Sequence, residues 1–393
     1  MELSKLYKAF FKSESSSGII LIVITFMTMF TVNFVLKEQF LGFWDTPFIG
    51  KPLNFWINDV LMTFFFLLVG FEIEREIYVG ELSKFKQALL PIFAAIGGMI
   101  VPALVYVFIN INSGSLAGFG IPMATDIAFS LTILTIIASR IPSSLKIFLT
   151  ALAIIDDLGA IIIIAIFYTK NFSVIYLAIA IAIYALLFLF NRKGIKNLLL
   201  YFLPAIVMWI CFYKSGIHPT ITGVLLAFVI PFGNGDEKSL SHRIESKLHR
   251  PVAYIVLPLF AIANTGILIQ ASDFVNLLSV NSMGIILGLA VGKPVGILFF
   301  SWVAVKLKIC SLFDNIQFKH ILGAGMVAGI GFTMSIFITL LAFEDIHLIK
   351  NSKLAIIIAS FISAIGSILF IIFTNKQNKE SQPANSKIAK HSY

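Results

Sequence analysis

The chain has 393 residues, 59% of them hydrophobic and only 12% charged, with a mean hydropathy of +0.96 and a formal charge of +9. A soluble domain is roughly half apolar and about a quarter charged, so this excess is too large for a water-soluble core. Cys211 and Cys310 set up neither a disulfide framework nor a metal spacing, and no Walker A run suggests ATP-driven work.

A helix needs about 20 apolar residues to cross a hydrocarbon layer of about 30 Å. In chain order the candidates are 18–36, 53–77, 87–110, 116–138, 147–168, 172–190, 196–213, 217–232, 251–270, 283–304, 321–343 and 354–374. A membrane barrel would instead show alternating strands of about ten residues. The stretch before the first span carries Lys5, Lys8 and Lys12, as a signal peptide would. Its apolar run is too long and lacks an Ala-x-Ala site, so the span is expected to be retained. The longest internal connection, 233–250, has room for a small amphipathic helix. The expected fold is all-α and polytopic, one membrane domain over 1–375 followed by a basic, disordered tail over 376–393.

Basic residues concentrate in cytoplasmic connections. With the N-terminus inside, twelve spans place 22 of the 29 Lys and Arg residues on the inner side and 6 on the outer, counting Lys350 and Lys353 in the last outer connection. Both termini are then cytoplasmic. The positive charge is a topology signal and gives no reason to expect nucleic acid as a partner.

The basic residue left over is Lys293, in the middle of the tenth span. Asp126 is central in the fourth. The fifth, "TALAIIDDLGAIIIIAI", carries Asp156 and Asp157, the second about 15 Å deep at 1.5 Å per residue. Each such charge costs about 2.5–3.5 kcal/mol to insert. A structural ion pair accounts for one acid and one base; here three acids meet one base, so at least one acid needs a proton or a metal cation instead. Adjacent helical side chains diverge by about 100°, so one acid can face a lysine while the other faces a cation. Sodium and protons then compete for the same oxygens. An intramembrane aspartyl protease needs its two acids on different helices, and a DDxxD metal site fails because Leu158, Gly159 and Ala160 follow Asp157. A sodium-driven symporter for an organic anion is the other rival, against which the paired acids and the mid-span lysine speak for proton coupling.

Gly118, Gly120 and Pro122 precede Thr125 and Asp126 in the fourth span. Gly323, Gly325, Gly329 and Gly331 precede Thr333 in the eleventh. Two interrupted helices an odd number of spans apart run in opposite directions, the expected mark of an inverted-topology repeat with discontinuous helices crossing at the midplane.

"FLTALAIIDDLGAI", "IPMATDIAFSL", "VGFEIEREI", "LPLFAIANTG", "VGKPVGI" and "GIGFTMSIFI" together resemble the bacterial NhaA-type sodium/proton antiporters, over about residues 10–375. The inverted repeat is one of that family's known properties. The resemblance implies a twelve-helix inner-membrane transporter, a homodimer, exchanging Na+ or Li+ for H+ and activated by rising pH, with no cofactor and no enzymatic activity. It makes Asp157 the principal cation ligand and Asp156 a proton carrier that can pair with Lys293. Thr125 and Thr333 lie near the site, and Asp126 and Lys293 offset the half-helix charges. It also implies a pH-regulating set: Glu72, Arg75, Glu76, Glu245 and His249, with His218 tuning the response. Glu74 stands where a lysine is expected and Ser246 where a histidine is. Asp59 matches near the outer end of its span, and "LGFWDTPFIGKP" occupies the place of the dimer contact.

Overall fold

The computed structural model describes residues 16–380 except 138–140, 170–171, 234 and 237. Lys5, Lys8, Lys12 and the tail beyond Glu380 lie outside the described residues. Among the described residues, eight helical segments are long and apolar enough to cross a membrane: Ser16–Leu36, Leu53–Tyr78, Phe85–Asn110, Leu116–Ile136, Ser143–Phe167, Val174–Arg192, Val280–Lys306 and Ile346–Thr374. A bent pair, Phe318–Ala328 and Phe332–Ala342, makes a ninth if taken as one span. The protein is therefore an all-α polytopic membrane protein.

Of the remaining three of the twelve apolar stretches, two are shorter helices, Leu199–Ser215 and Ile221–Val229, and the third, Leu257–Thr265, ends a helical run that begins at Leu240. The two shorter ones have local reasons. Gly216 ends the first in the left-handed region (φ 85°), where glycine carries no Cβ penalty. The second is confined between Pro219 and Pro231, neither of which can donate a helical hydrogen bond. The third continues a π-helical turn, Val252–Val256. The connection at 233–250 holds the amphipathic helix Leu240–Pro251, whose Ser239 side chain caps the His242 N–H. The last helix begins at Ile346 and runs to Glu380. Lys350 and Lys353 are thus helical residues, not loop residues, and the first residues of the tail stretch continue the helix.

Two spans are interrupted in the middle. In Leu116–Ile136, a 3-10 stretch, Leu116–Met123, gives way to extended backbone at Ala124 and Asp126 before the α-helix Ile127–Ile136 starts. In the other, the two halves meet at 53° across residues 329–331. A Cβ on Gly329 would lie 2.6 Å from the Leu289 carbonyl, so only glycine lets these backbones meet.

Packing follows helical periodicity. Leu53–Tyr78 turns Phe66, Leu68 and Val69 into the main apolar core, which also holds Leu149, Leu152, Phe260, Ile297 and Phe337. It turns Leu67 and Phe71 into a second core shared with Ala180, Tyr201, Met208 and Leu226. Large apolar side chains such as Val174, Leu203, Ile206 and Phe299 stay exposed, as hydrocarbon-facing residues do. A two-stranded ribbon, Pro47–Phe48 with Lys51–Pro52, pairs Phe48 with Lys51. Its turn residues Ile49 and Gly50 have φ of 50° and 74°, the positive φ values of a type I′ hairpin.

Phe85–Asn110 packs closely against Val280–Lys306, where Gly97 and Gly296 each leave no room for a Cβ against the other's carbonyl. We expect Gly97→Val to separate these helices and lower stability by about 1–3 kcal/mol or more, read as a lower melting temperature in detergent.

Candidate functional site

A helix broken inside a membrane leaves N–H and C=O groups that no water can satisfy. Asp126 caps two helices at once. Its Oδ1 accepts from the Phe129 N–H at 2.9 Å, at the start of Ile127–Ile136. Its Oδ2 accepts from the Thr333 N–H at 3.1 Å and the Thr333 hydroxyl at 2.5 Å, at the start of Phe332–Ala342. An anion at two helix N-termini is also where the helix dipoles favour it.

The carbonyls at the opposite ends are satisfied as well. The Asp126 N–H donates to Ile330 O at 2.7 Å. The Ser130 hydroxyl donates to Val327 O at 3.1 Å, and that of Ser335 to Ile121 O at 2.7 Å. Each serine is the fourth residue of its half-helix, and each reaches the end of the other broken span. The Lys293 ammonium donates to Met123 O, at the C-terminal end of the 3-10 stretch. A cation belongs at such an end.

The same ammonium ties the crossing to the paired acids. Lys293 Nζ lies 2.5 Å from Asp156 Oδ2, with both side chains fully buried. The Thr125 hydroxyl is 2.6 Å from that oxygen and 3.0 Å from Ala328 O. Having one proton, it donates to one of them at a time. Asp156 Oδ1 and both oxygens of Asp157 are buried without a hydrogen-bond partner. The helix thus turns Asp156 toward Lys293 and leaves its neighbour free of protein donors. Three such oxygens on adjacent residues suit a hard cation or protons.

Asp157 lines a cavity of about 250 Å³ together with Glu72, Arg75, Lys146, Thr150 and His249. Thr150, Ile154 and Asp157 follow at helical spacing along one wall. Beside the cavity, Arg75 pairs with Glu245 at 3.2 Å and sits 3.9 Å from Glu76, while His242 is 4.0 Å from Glu245. Burial raises the Glu245 carboxyl above its ordinary range, against the pull of Arg75 and His242.

The sequence profile of the Na+/H+ antiporter 1 family matches residues 8–371. The chain belongs to this family. It is 51% identical to the Na+/H+ antiporter NhaA 1 of Flavobacterium johnsoniae over 97% of this chain and all of that protein. It is 50% identical to NhaA of Cytophaga hutchinsonii over 96% of this chain and 97% of that one, and 51% identical to NhaA of Dechloromonas aromatica over 97% and 98%.

In this member of the antiporter 1 family the residues singled out from sequence fall into three places. Asp156, Asp157, Lys293, Asp126, Thr125 and Thr333 converge at the crossing. Glu72, Arg75, Glu76, Glu245 and His249 gather around the cavity that reaches Asp157. His218 is apart from both: its Nε2 is 3.2 Å from Asp59, its Nδ1 is 2.8 Å from the Thr220 hydroxyl, and it lines a separate cavity of about 480 Å³ with Asp59, Tyr168 and Lys214. Ser130, Ser335, His242 and the Met123 carbonyl were not legible beforehand. A serine in a membrane helix carries no mark of its partner, and a carbonyl has no side chain to read.

Lys293→Met leaves Asp156 buried and unpaired. We expect it to lower unfolding stability in detergent by about 3–5 kcal/mol, and Lys293→Met with Asp156→Leu to recover most of that loss.

Proposed function

We propose that the chain is a secondary transporter that expels cytoplasmic Na+ or Li+ in exchange for external protons, with Asp156 and Asp157 binding cation and protons in turn. The observation that carries this reading is the adjacent buried carboxylates, three of whose oxygens have no protein donor, at the end of a cavity. Twelve crossings, with both termini in the cytoplasm of a bacterial inner membrane, agree with the distribution of basic residues. The paired breaks and the reciprocal serines support an inverted repeat. The ribbon at residues 47–52 is the proposed contact of a homodimer.

With the cavity open to the cytoplasm, Asp157 and Asp156 each lose a proton, and sodium settles on the free oxygens of Asp157. Asp156 adds Oδ1, and Lys293 and Thr125 hold its Oδ2. The crossing then opens outward, sodium leaves, and protons reload the acids. Two protons inward per sodium outward move one net positive charge inward, so an inside-negative potential drives the cycle by about 2.3 kcal/mol per 100 mV. Asp126 and Lys293 keep the crossing neutral while the half-helices shift. No cofactor enters the cycle and no covalent bond changes.

Sodium-dependent collapse of a proton gradient in inside-out vesicles tests this. Wild type should respond to Na+ and Li+ but not K+, and Asp157→Asn should be silent. No sodium response from folded, inserted wild type between about pH 6 and 9 rejects antiport at this site.

The cluster around Arg75 is the proposed pH control, with His218 acting at the other cavity. Because burial holds the Glu245 proton to a higher pH than usual, the Arg75–Glu245 attraction strengthens as pH rises through that raised value. Glu245→Gln fixes the neutral form. Its pH–activity curve should lose steepness and shift its midpoint at unchanged maximal rate; a curve superimposable on wild type excludes Glu245 from the response.

A further inference from the structure

A groove of about 380 Å³ opens on the lipid-facing side between Leu53–Tyr78, Leu199–Ser215 and Ile221–Val229. Its wall is apolar: Val60, Phe64, Leu67, Phe202, Ile206 and Ile210 are among its residues, and Phe64, Ile206 and Ile210 are 40%, 58% and 43% exposed. The two indole N–H groups on the wall are both satisfied by the protein. Trp56 donates to Phe48 O at 2.7 Å and Trp209 to the Thr63 hydroxyl at 2.9 Å. Apart from Thr63, only Thr222 brings a hydroxyl to the wall, and it has no partner.

The length of the groove is informative. From Trp56 to Leu67 a helix rises about 16 Å, and from Tyr213 back to Phe202 the same. That is the depth of one leaflet of a hydrocarbon layer about 30 Å thick. At the end marked by Trp56 and Trp209 stands an aromatic cluster. Phe55 meets Trp209 and Tyr213 edge-on at 6.1 and 5.5 Å, and Trp209 and Tyr213 stack at 6.0 Å. Lys51 sits over the Phe55 and Tyr213 rings, 5.3 and 5.2 Å from their centroids, with its Nζ 2.7 Å from the Tyr213 hydroxyl. Its side chain is exposed, and among the described residues no carboxylate pairs with it. Aromatic rings and a lysine at this height form the headgroup-level belt of a membrane protein.

Taking the proposed orientation, with the N-terminus in the cytoplasm, we infer that this groove is a binding site for one anionic phospholipid of the outer leaflet, an acyl chain lying along Trp56–Leu67 and the phosphate on Lys51. A space of this size in the membrane-facing wall is within the range of ligand sites, and left empty it forfeits the contacts of every side chain lining it. The hydrocarbon of the bilayer supplies the chain. The unpaired ammonium at its outer end selects the headgroup's charge. The occupant bridges the ribbon at residues 47–52 to the three helices of the groove. None of these residues belongs to the acids, the crossing or the cavity at Asp157.

The test uses the full chain with Trp44→Phe and Trp302→Phe, which leaves Trp56 and Trp209 as the fluorophores. Quenching is compared between vesicles whose bromine-labelled chains are carried by phosphatidylglycerol or by phosphatidylcholine. Brominated phosphatidylglycerol should bind about five-fold more tightly, the worth of one lysine near an anionic surface. Lys51→Gln should bring the two lipids level. Ile206→Phe, at the exposed rim, should reduce quenching by both without changing their ratio. Equal quenching by both lipids in the parent protein, or a preference that survives Lys51→Gln, overturns the site. Absence of quenching in a dimeric protein overturns it too and assigns the groove to a second copy. Binding is read without transport, so failure of antiport at the aspartates would leave this result standing.

Discussion

Everything at the centre of this protein depends on one constraint: backbone groups at a helix end inside a membrane must find partners within the protein. Two spans break at similar places along the chain of contacts, and their four ends meet. Asp126 serves both N-terminal ends, Lys293 takes a carbonyl at one C-terminal end, and Ser130 and Ser335 cross between the spans. These partners convert an expensive arrangement into a fixed one. They also place a cation where an acid on a neighbouring helix can use it.

That neighbour is Asp156. Its pairing with Lys293 divides two adjacent acids into unlike roles. One is neutralised by the protein and shares its oxygen with Thr125. The other, Asp157, meets no donor and borders the cavity at Glu72 and Arg75. The 100° step of a helix is enough to produce the division, because a partner stands on one side of the step and open space on the other. The single proton of Thr125 lies within reach of both Asp156 and the carbonyl of Ala328, at the end of a half-helix.

The groove with Lys51 and the cavity with His218 are on the other side of the same economy of charge. Outside the crossing, several polar groups on the spans have a visible local partner: Trp209 on Thr63, His218 on Asp59, Asn264 on Asn58 at 2.7 Å. Lys353 is the instructive exception to the loop assignment. It rides on the last helix and reaches Asn264 at 3.3 Å, because that helix starts earlier than its apolar run does.

By itself the sequence determined that the chain is helical and membrane-embedded, that acids outnumber bases at mid-depth, and that glycine and proline interrupt two apolar runs. These are consequences of hydrocarbon thickness and backbone chemistry, both of which act locally. Through resemblance it also named Asp156, Asp157, Lys293 and Asp126. Through the same resemblance it pointed Lys293 at Asp156; only the tertiary structure decided which carbonyls need a donor and that His218 stands apart from the Arg75 cluster. It alone brought Ser130 and Ser335 to opposite ends of the same junction. Those outcomes depend on distances between residues as far apart as Asp126 and Thr333, and no local pattern along a chain encodes such a distance.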